Sequence, residues 1–163
     1  MGLDSLVRAM ALLPPEVHLT IGGEGPLKSE LRALAQQLNL SHRVRLAGHI
    51  PDDKLPGFYC SADWFVLPTA ALEGFGLVIL ESLACGTPVL GTRVGAIPDV
   101  LGQFDPAWII EHSTPESIAA TVKRAMGTRR PDRLQLHDRV AAKFSWDRIG
   151  QLYAALFESL IQK

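Results

Sequence analysis

The chain has 163 residues, of which 47% are hydrophobic and 20% are charged, and its formal net charge is −1. This balance predicts one globular domain with its own core, spanning residues 1–163. The charge gives no support for nucleic-acid binding, which needs a concentrated basic surface, and the cluster at Arg129 and Arg130 is better explained as a solvated loop. No stretch approaches the roughly 18 apolar residues of a membrane span, so no transmembrane segment is predicted. Cys60 and Cys85 belong to no metal or redox motif and are expected to be small buried side chains.

Helical and strand patterns alternate through the first part of the chain. Apolar residues at helical spacing precede Pro14, and a second amphipathic pattern follows the glycine-rich loop that begins at Gly22. This loop lacks the spacing of a dinucleotide-binding motif, so the sequence does not predict NAD binding. The predicted elements are helices over residues 4–13, 27–38 and 51–59, and strands over residues 17–21, 44–48 and 63–67.

The stretch from residue 68 to residue 92 organises the chain. It predicts a strand end, a loop containing Gly74 and Gly76, a short helix that ends at Gly86, and the next strand. Amides at a helix N-terminus carry partial positive charge, and glycines let a ligand approach the backbone closely. This loop is therefore suited to an anionic ligand.

Two glutamates frame the loop and its helix. Glu73 and Glu81 are eight positions apart, which along a helix is an advance of about 12 Å. That separation excludes a close acid–base pair, but it lets each carboxylate accept hydroxyl hydrogen bonds from one end of an elongated, polyhydroxylated ligand. Periodicity alone fits equally well a surface helix with one capping and one solvated glutamate.

The last part of the chain continues the alternation of strands and helices. Thr114 and Asp132 are expected to cap two helices, and Ser145 is expected to begin a terminal helix with a broad apolar face. The predicted elements are strands over residues 89–91 and 107–110, a loop over residues 92–98, a helix lined by Ile118, Val122 and Met126, and a helix over residues 132–142. The whole pattern predicts an α/β fold with a doubly wound parallel sheet and flanking helices.

The central residues EGFGLVILESLACGTPVL, preceded by ADWFVLP and followed by GTRVGAIPDVL, resemble the donor-site motif of family-4 retaining glycosyltransferases. The segments GLDSLVRAMALLP, VHLTIGGEGPLKSEL and FSWDRIGQLY agree with that family in order and spacing. The resemblance implies the GT-B architecture, in which two Rossmann-like domains face each other across a cleft. It implies further that this chain corresponds to the C-terminal, nucleotide-sugar-binding domain.

The resemblance also implies roles for individual residues. Glu73 would be the catalytic-site residue that bonds hydroxyls of the transferred sugar, and Glu81 would bind the ribose hydroxyls. Amides of the glycine loop would face the diphosphate or sugar, while the turns at Gly22 and Gly48 would border the donor cleft and the base. A plain strand-to-helix turn and an ordinary loop histidine are the structural alternatives for these turns. The implied donor-binding residues are Gly22, Gly48, His49, Ile50, Gly74, Phe75, Gly76, Leu77, Val78 and Glu81.

By the same resemblance, the donor is a nucleotide-diphosphate sugar, the acceptor is unknown, and neither a metal ion nor another cofactor is needed. The protein is expected in the cytoplasm, either free or at a membrane surface. Catalysis in the family also uses an acceptor-side N-terminal domain that this chain lacks, so we expect the isolated chain to be inactive or nearly so. The alternative is a non-catalytic nucleotide-binding or interaction module that pairs with a separate acceptor subunit.

The sequence departs from the family at its start and after the fourth predicted strand. The usual first strand, with an arginine and a lysine that neutralise the diphosphate, is missing before Gly2, so we expect a gap in the sheet or exposed edges. Either the sheet re-pairs, or a second copy covers the gap in a homodimer, or a partner chain supplies the missing half. Ala96 and Asp99 also differ from the family pattern, and Ala96 is expected to reshape its loop because alanine avoids positive φ.

Overall fold

The computed structural model describes residues 2–161, in which short parallel strands alternate with helices. The strands are β1 (Leu19–Gly22), β2 (Val44–Gly48), β3 (Phe65–Leu67), β4 (Val89–Thr92) and β5 (Ile109–Ile110). The helices are α1 (Leu3–Ala9), α2 (Lys28–Gln37), α3 (Leu55–Cys60), α4 (Leu77–Ala84), α5 (Ile97–Leu101), α6 (Pro115–Met126), α7 (Arg133–Phe144) and α8 (Trp146–Ile161).

The strands form two separate parallel sheets. β1 pairs with β2, with Leu19 opposite Val44, and β4 lies between β3 and β5, with Phe65 opposite Val89. No ladder joins β1 to β3 in the part of the chain described. The predicted α/β fold with parallel strands and flanking helices is confirmed, and the break between the two sheets agrees with the expected gap. The expectation that the sheet re-pairs was wrong, because the two sheets remain separate in the described residues. Cover of the gap by a second copy or by a partner chain stays a prediction.

Helix α1 connects the two sheets through side-chain packing. The amide of Gly2 donates to the carbonyl of Pro68 at 2.8 Å, which fixes the start of α1 at the carboxyl end of β3. From there α1 packs on α2 and α6, and its residues Leu6 and Val7 are buried. One hydrophobic core therefore runs beneath both sheets although their backbones are not paired.

Two local elements differ from the sequence prediction. The loop expected over residues 92–98 contains the start of α5, because Pro98 occupies the first turn of that helix, where its missing amide costs nothing. The strand expected over residues 107–110 is only Ile109–Ile110. Before it lies a single 3-10 turn, which the side chain of Asp105 caps by accepting from the amide of Ala107 at 2.8 Å.

The predicted caps are confirmed, but some burial was mispredicted. Thr114 accepts from the amide of Ser117, and Asp132 accepts from the amide of Gln135. Met126, expected on the buried face of α6, is exposed because it is the last residue of that helix. Burial of the cysteines was also mispredicted: Cys60 ends α3 at the surface and is exposed, and Cys85 is half-buried.

Helix α8 has no buried residue, so the apolar face expected there is uncovered in the described structure. It follows α7 directly and contacts that helix near their junction. Within residues 2–161, no helix combines the length and the apolar character needed to cross a membrane. The large exposed apolar and aromatic residues of α8 are Trp146, Leu152, Tyr153, Leu156, Phe157, Leu160 and Ile161.

Candidate functional site

The loop between β3 and α4 holds Glu73 by a chain of hydrogen bonds. Thr69, which is 2% exposed, donates its hydroxyl to Oε2 of Glu73 at 3.3 Å. The carbonyl of Thr69 in turn accepts from the hydroxyl of Thr92, at the end of β4, at 2.6 Å. The half-buried carboxylate of Glu73 is therefore positioned from the carboxyl ends of two adjacent strands.

A second loop, which follows β4, packs directly against the backbone of Glu73. Gly95 has φ +55°, and a Cβ there would overlap the carbonyl oxygen of Glu73. Only glycine combines that conformation with such a close approach. Ala96 has φ −81°, an ordinary value for alanine, so the expected strain at this departure from the family pattern is absent.

The amides that begin α4 are available to a ligand. Gly76 precedes the helix with φ +73° and directs the chain into its first turn. Leu77, the first helical residue, is exposed. A helix start with free amides attracts anions. Within the described residues, no hydrogen bond is donated by the amides of Gly74, Phe75, Gly76, Leu77 and Val78.

The spacing of the two glutamates differs from the helical estimate. Because the left-handed Gly76 must come before the helix, Glu73 lies in the loop and only residues from Leu77 onward are helical. Glu81 is the fifth residue of α4, so it lies about one turn beyond the helix start. The two carboxylates still belong to opposite ends of the same loop and helix.

Glu81 has a partner that the sequence analysis missed. Its Oε2 accepts a hydrogen bond from the hydroxyl of Tyr59 at 3.0 Å. Glu81 is exposed, whereas Tyr59 is 7% exposed. Burial, and then the neighbouring carboxylate, raise the pKa of Tyr59 well above its ordinary value, so the phenol keeps its proton and donates. No motif marks Tyr59, which lies in helix α3.

The turns after β1 and β2 form a second group of residues. Gly22 pairs with Gly48, and the amide of Gly23 donates to the carbonyl of Gly48 at 2.7 Å. His49 is exposed. Beside these turns, Glu24 accepts from Lys28 at 2.8 Å, and this hydrogen bond lowers the pKa of Glu24. The structure thus brings together the predicted residues Gly22, Gly48, His49 and Ile50.

Helix α3 joins the two groups across the gap in the sheet. A Cβ on Gly22 would lie 3.1 Å from the ring of Phe58, and the next residue, Tyr59, reaches Glu81. The predicted site residues lie at the carboxyl ends of parallel strands or in the segments that follow them, which is where ligands bind in open α/β sheets. In the stretch from residue 2 to residue 161, no three His, Cys, Asp or Glu side chains are grouped as a metal ion would need.

A cavity of about 210 Å³ lies elsewhere, at the amino ends of the strands. Trp64, which precedes β3, and Trp108, which precedes β5, line it together with Arg124 and Arg139. None of the residues of the two groups above contributes to it.

Parallel strands, flanking helices and a glycine loop opening a helix at the carboxyl edge define a Rossmann-like α/β domain. The chain belongs to the family of the glycosyl transferases group 1, whose profile matches residues 1–141. Its fold is that of one half of a GT-B glycosyltransferase. The family membership and the GT-B fold implied by the resemblance in sequence are therefore confirmed.

Individual relatives agree with this membership. An uncharacterised glycosyltransferase of Methanocaldococcus jannaschii is 34% identical over 156 residues, which are 92% of this chain and 40% of that protein. The structure of sucrose-phosphate synthase from Thermosynechococcus elongatus is 31% identical, with a TM-score of 0.78 over 97% of this chain and 43% of that one. The HepE protein of Anabaena in complex with UDP shares the fold, with 21% identity and a TM-score of 0.83 over 97% of this chain and 45% of that one. The chain spans less than half the length of each of these proteins.

Proposed function

We propose that this chain is the donor-binding domain, of the C-terminal type, of a family-4 retaining glycosyltransferase. The observation that carries the proposal is the run of free amides at residues 74–78, placed at the start of α4 between Glu73 and Glu81. A nucleotide-diphosphate sugar is an elongated ligand with an anionic centre and hydroxyl groups on both sides. Free amides suit its diphosphate, and carboxylates suit its hydroxyls.

In this proposal each part of the site has one task. Glu73 accepts hydrogen bonds from the sugar hydroxyls, and Glu81 accepts them from the ribose. The turns of Gly22 and Gly48, with His49 and Ile50, contact the base across the gap. During transfer the bond between the sugar and the diphosphate breaks, and negative charge accumulates on the leaving phosphate. Amides fixed at a helix start stabilise that charge without reorganising. No resident metal or organic cofactor is part of the proposal.

In this proposal, the acceptor side of the reaction is supplied by a second domain. This chain spans 40% to 45% of the length of the relatives described above, and no group in the candidate site is assigned to an acceptor. We therefore propose that the chain by itself binds the donor but transfers its sugar slowly or not at all. Adding an acceptor-side domain in trans should restore transfer if the two halves assemble.

A second candidate function is a non-catalytic module that pairs with a separate acceptor subunit. The uncovered apolar face of α8 is the observation that favours it. Such a module would bind a nucleotide without distinguishing the attached sugar. The donor-domain proposal instead requires that at least one nucleotide sugar binds differently from its free nucleotide.

Calorimetric titration tests the proposal. UDP, GDP and ADP are added separately, each alone and as its glucose or mannose conjugate, because UDP occupies the HepE structure. We expect saturable binding of one nucleotide, weakened about tenfold or more by Glu81→Ala. Glu158→Ala, a substitution of the same kind on the exposed helix α8, should leave the affinity unchanged. A folded wild-type chain that binds none of these compounds would contradict the proposal.

A further inference from the structure

Tyr59 occupies a rigid position next to the exposed carboxylate of Glu81. Its ring packs edge-on against Phe65 of β3, with the two centroids 5.4 Å apart, and only its hydroxyl reaches the edge of the candidate site. The residue is 7% exposed. A buried tyrosine whose hydroxyl meets a surface carboxylate is a fixed donor for that carboxylate.

The backbone around Tyr59 is tied to the end of α4, the helix that carries Glu81. The carbonyl of Tyr59 accepts from the hydroxyl of Thr87 at 2.8 Å, and Thr87 is fully buried. Ser82, the neighbour of Glu81, donates to the carbonyl of Thr87 at 2.9 Å. The thiol of Cys60 donates to the carbonyl of Cys85 at 3.3 Å. These three hydrogen bonds therefore hold the segments that carry Tyr59 and Glu81 in a fixed arrangement.

The hydrogen bond from Tyr59 determines how the carboxylate of Glu81 is presented to a ligand. A free glutamate on a helix surface samples several rotamers, and it loses that freedom when it binds. With Oε2 held by Tyr59, the carboxylate is already oriented, and Oε1 retains its lone pairs for a pair of neighbouring hydroxyls. Pre-orientation lowers the entropic cost of binding.

We propose that Tyr59 is a positioning residue that makes the site select ribose over sugars without vicinal hydroxyls, by holding Glu81 in place. The inference rests on the proposed function, because it takes the ribose of a donor nucleotide as the ligand of Glu81. A ligand lacking those hydroxyls gives Oε1 of the oriented carboxylate no partner, so the rigid pair discriminates more strongly than a mobile glutamate.

The test compares a nucleotide with its 2′,3′-dideoxy analogue, which lacks both ribose hydroxyls. The pairs are UDP and dideoxy-UDP, GDP and dideoxy-GDP, and ADP and dideoxy-ADP, titrated into the full chain. In the wild type we expect one ribonucleotide to bind about tenfold or more tightly than its analogue. In Tyr59→Phe, which keeps the packed ring, that ratio should fall about fivefold, mainly through weaker ribonucleotide binding. Tyr153→Phe, on the exposed face of α8, should keep the wild-type ratio.

A double-mutant cycle separates positioning from a general structural effect. If Tyr59 acts through Glu81, Tyr59→Phe should have no further effect on the ratio in a Glu81→Ala background. If a folded Tyr59→Phe variant kept the wild-type affinity ratio, the inference would be overturned and the proposed function would stand. The same holds if Tyr59→Phe lowered the ratio as much in the Glu81→Ala background as in the wild type. Absence of all nucleotide binding in the wild type would instead remove the proposed function, and this inference with it. Thermal melting of each variant confirms that it is folded.

Discussion

Phe144, the last residue of α7, places its ring 6.3 Å from the ring of Phe75 in the glycine loop before α4. The two rings meet at 67°, an edge-on arrangement. Phe144 also stacks on Phe104, with centroids 6.5 Å apart. The loop that presents the free amides thus rests on aromatic residues from two other parts of the chain. Its position depends on the end of α7, just before the chain turns into α8.

The first prediction concerns this contact. Phe144→Ala removes the ring that supports Phe75, so the loop samples more conformations and binding must order it again. We expect nucleotide affinity to fall about three- to tenfold, measured by calorimetry on a variant that remains folded. Phe157→Ala on the exposed part of α8 is the matched control and should leave affinity unchanged. Equal nucleotide affinities of the two variants would show that the contact between Phe144 and Phe75 does not affect binding.

A second prediction follows from the contact between the loops after β3 and β4. Gly95→Ala places a methyl group where the carbonyl oxygen of Glu73 lies and forces alanine into positive φ. We expect the free energy of unfolding to fall by about 2 kcal/mol or more, measured by urea denaturation. Gly150→Ala in α8 is the control, since its Cβ would meet nothing within 4 Å. That change should be neutral or stabilising, because alanine favours helix. A neutral Gly95→Ala would mean that the two loops are not in contact.

A third prediction tests whether α8 packs on the domain. Leu136 in α7 is 1% exposed, and Leu136→Ala should lower the free energy of unfolding by about 2–5 kcal/mol. Leu156 in α8 is 51% exposed, and the same substitution there should change that energy by no more than about 0.5 kcal/mol. Urea denaturation of both variants makes the comparison. A large loss at Leu156 would show that α8 is covered in solution, by its own chain or by another copy.

The fourth prediction is a pH dependence caused by Tyr59. Its pKa is raised in the folded chain above the ordinary value of about 10, chiefly by burial and then by Glu81. The folded state therefore holds this proton more tightly than the unfolded state. The corresponding stability is fully present below about pH 10 and is lost as the pH rises through the folded-state pKa.

Urea denaturation at about pH 9, 10 and 11 measures this loss, which has an upper limit of about 1.4 kcal/mol per pH unit. Tyr59→Phe should lose less stability over that interval than the wild type does. Tyr153→Phe should follow the wild type, because Tyr153 is exposed. Parallel curves for all three proteins would show that Tyr59 titrates as an ordinary tyrosine.

The sequence predicted well those features that local chemistry determines. The helix caps at Thr114 and Asp132 and the buried strand β4 follow from residue types at fixed spacing, and the structure contains them. The free amides beside Gly76 also follow from a local pattern. Helix α5 was missed because Val94-Gly95-Ala96 resembles a loop. Pro98 is compatible with its first turn, and Ile97 and Leu101 pack the helix against Gly91.

Features that depend on contacts distant in sequence were not predictable. Tyr59 and Glu81 are 22 positions apart, and nothing at either position signals the other. The same holds for Phe75 and Phe144, which meet only because α7 packs against α4. Neither pair belongs to a motif. Both were found only once the fold had brought the partners together.

The gap between the two sheets has a consequence for cooperativity. Backbone ladders end at β1 on one side and at β3 on the other, so hydrogen bonding alone would leave two independent bodies. Leu6 and Val7 of helix α1 are buried, and they belong to a single apolar cluster that includes residues of both sheets. Unfolding of either sheet would expose apolar side chains of this shared cluster, which also stabilise the other sheet. We therefore expect the domain to fold and unfold as one unit, coupled by hydrophobic contacts through α1.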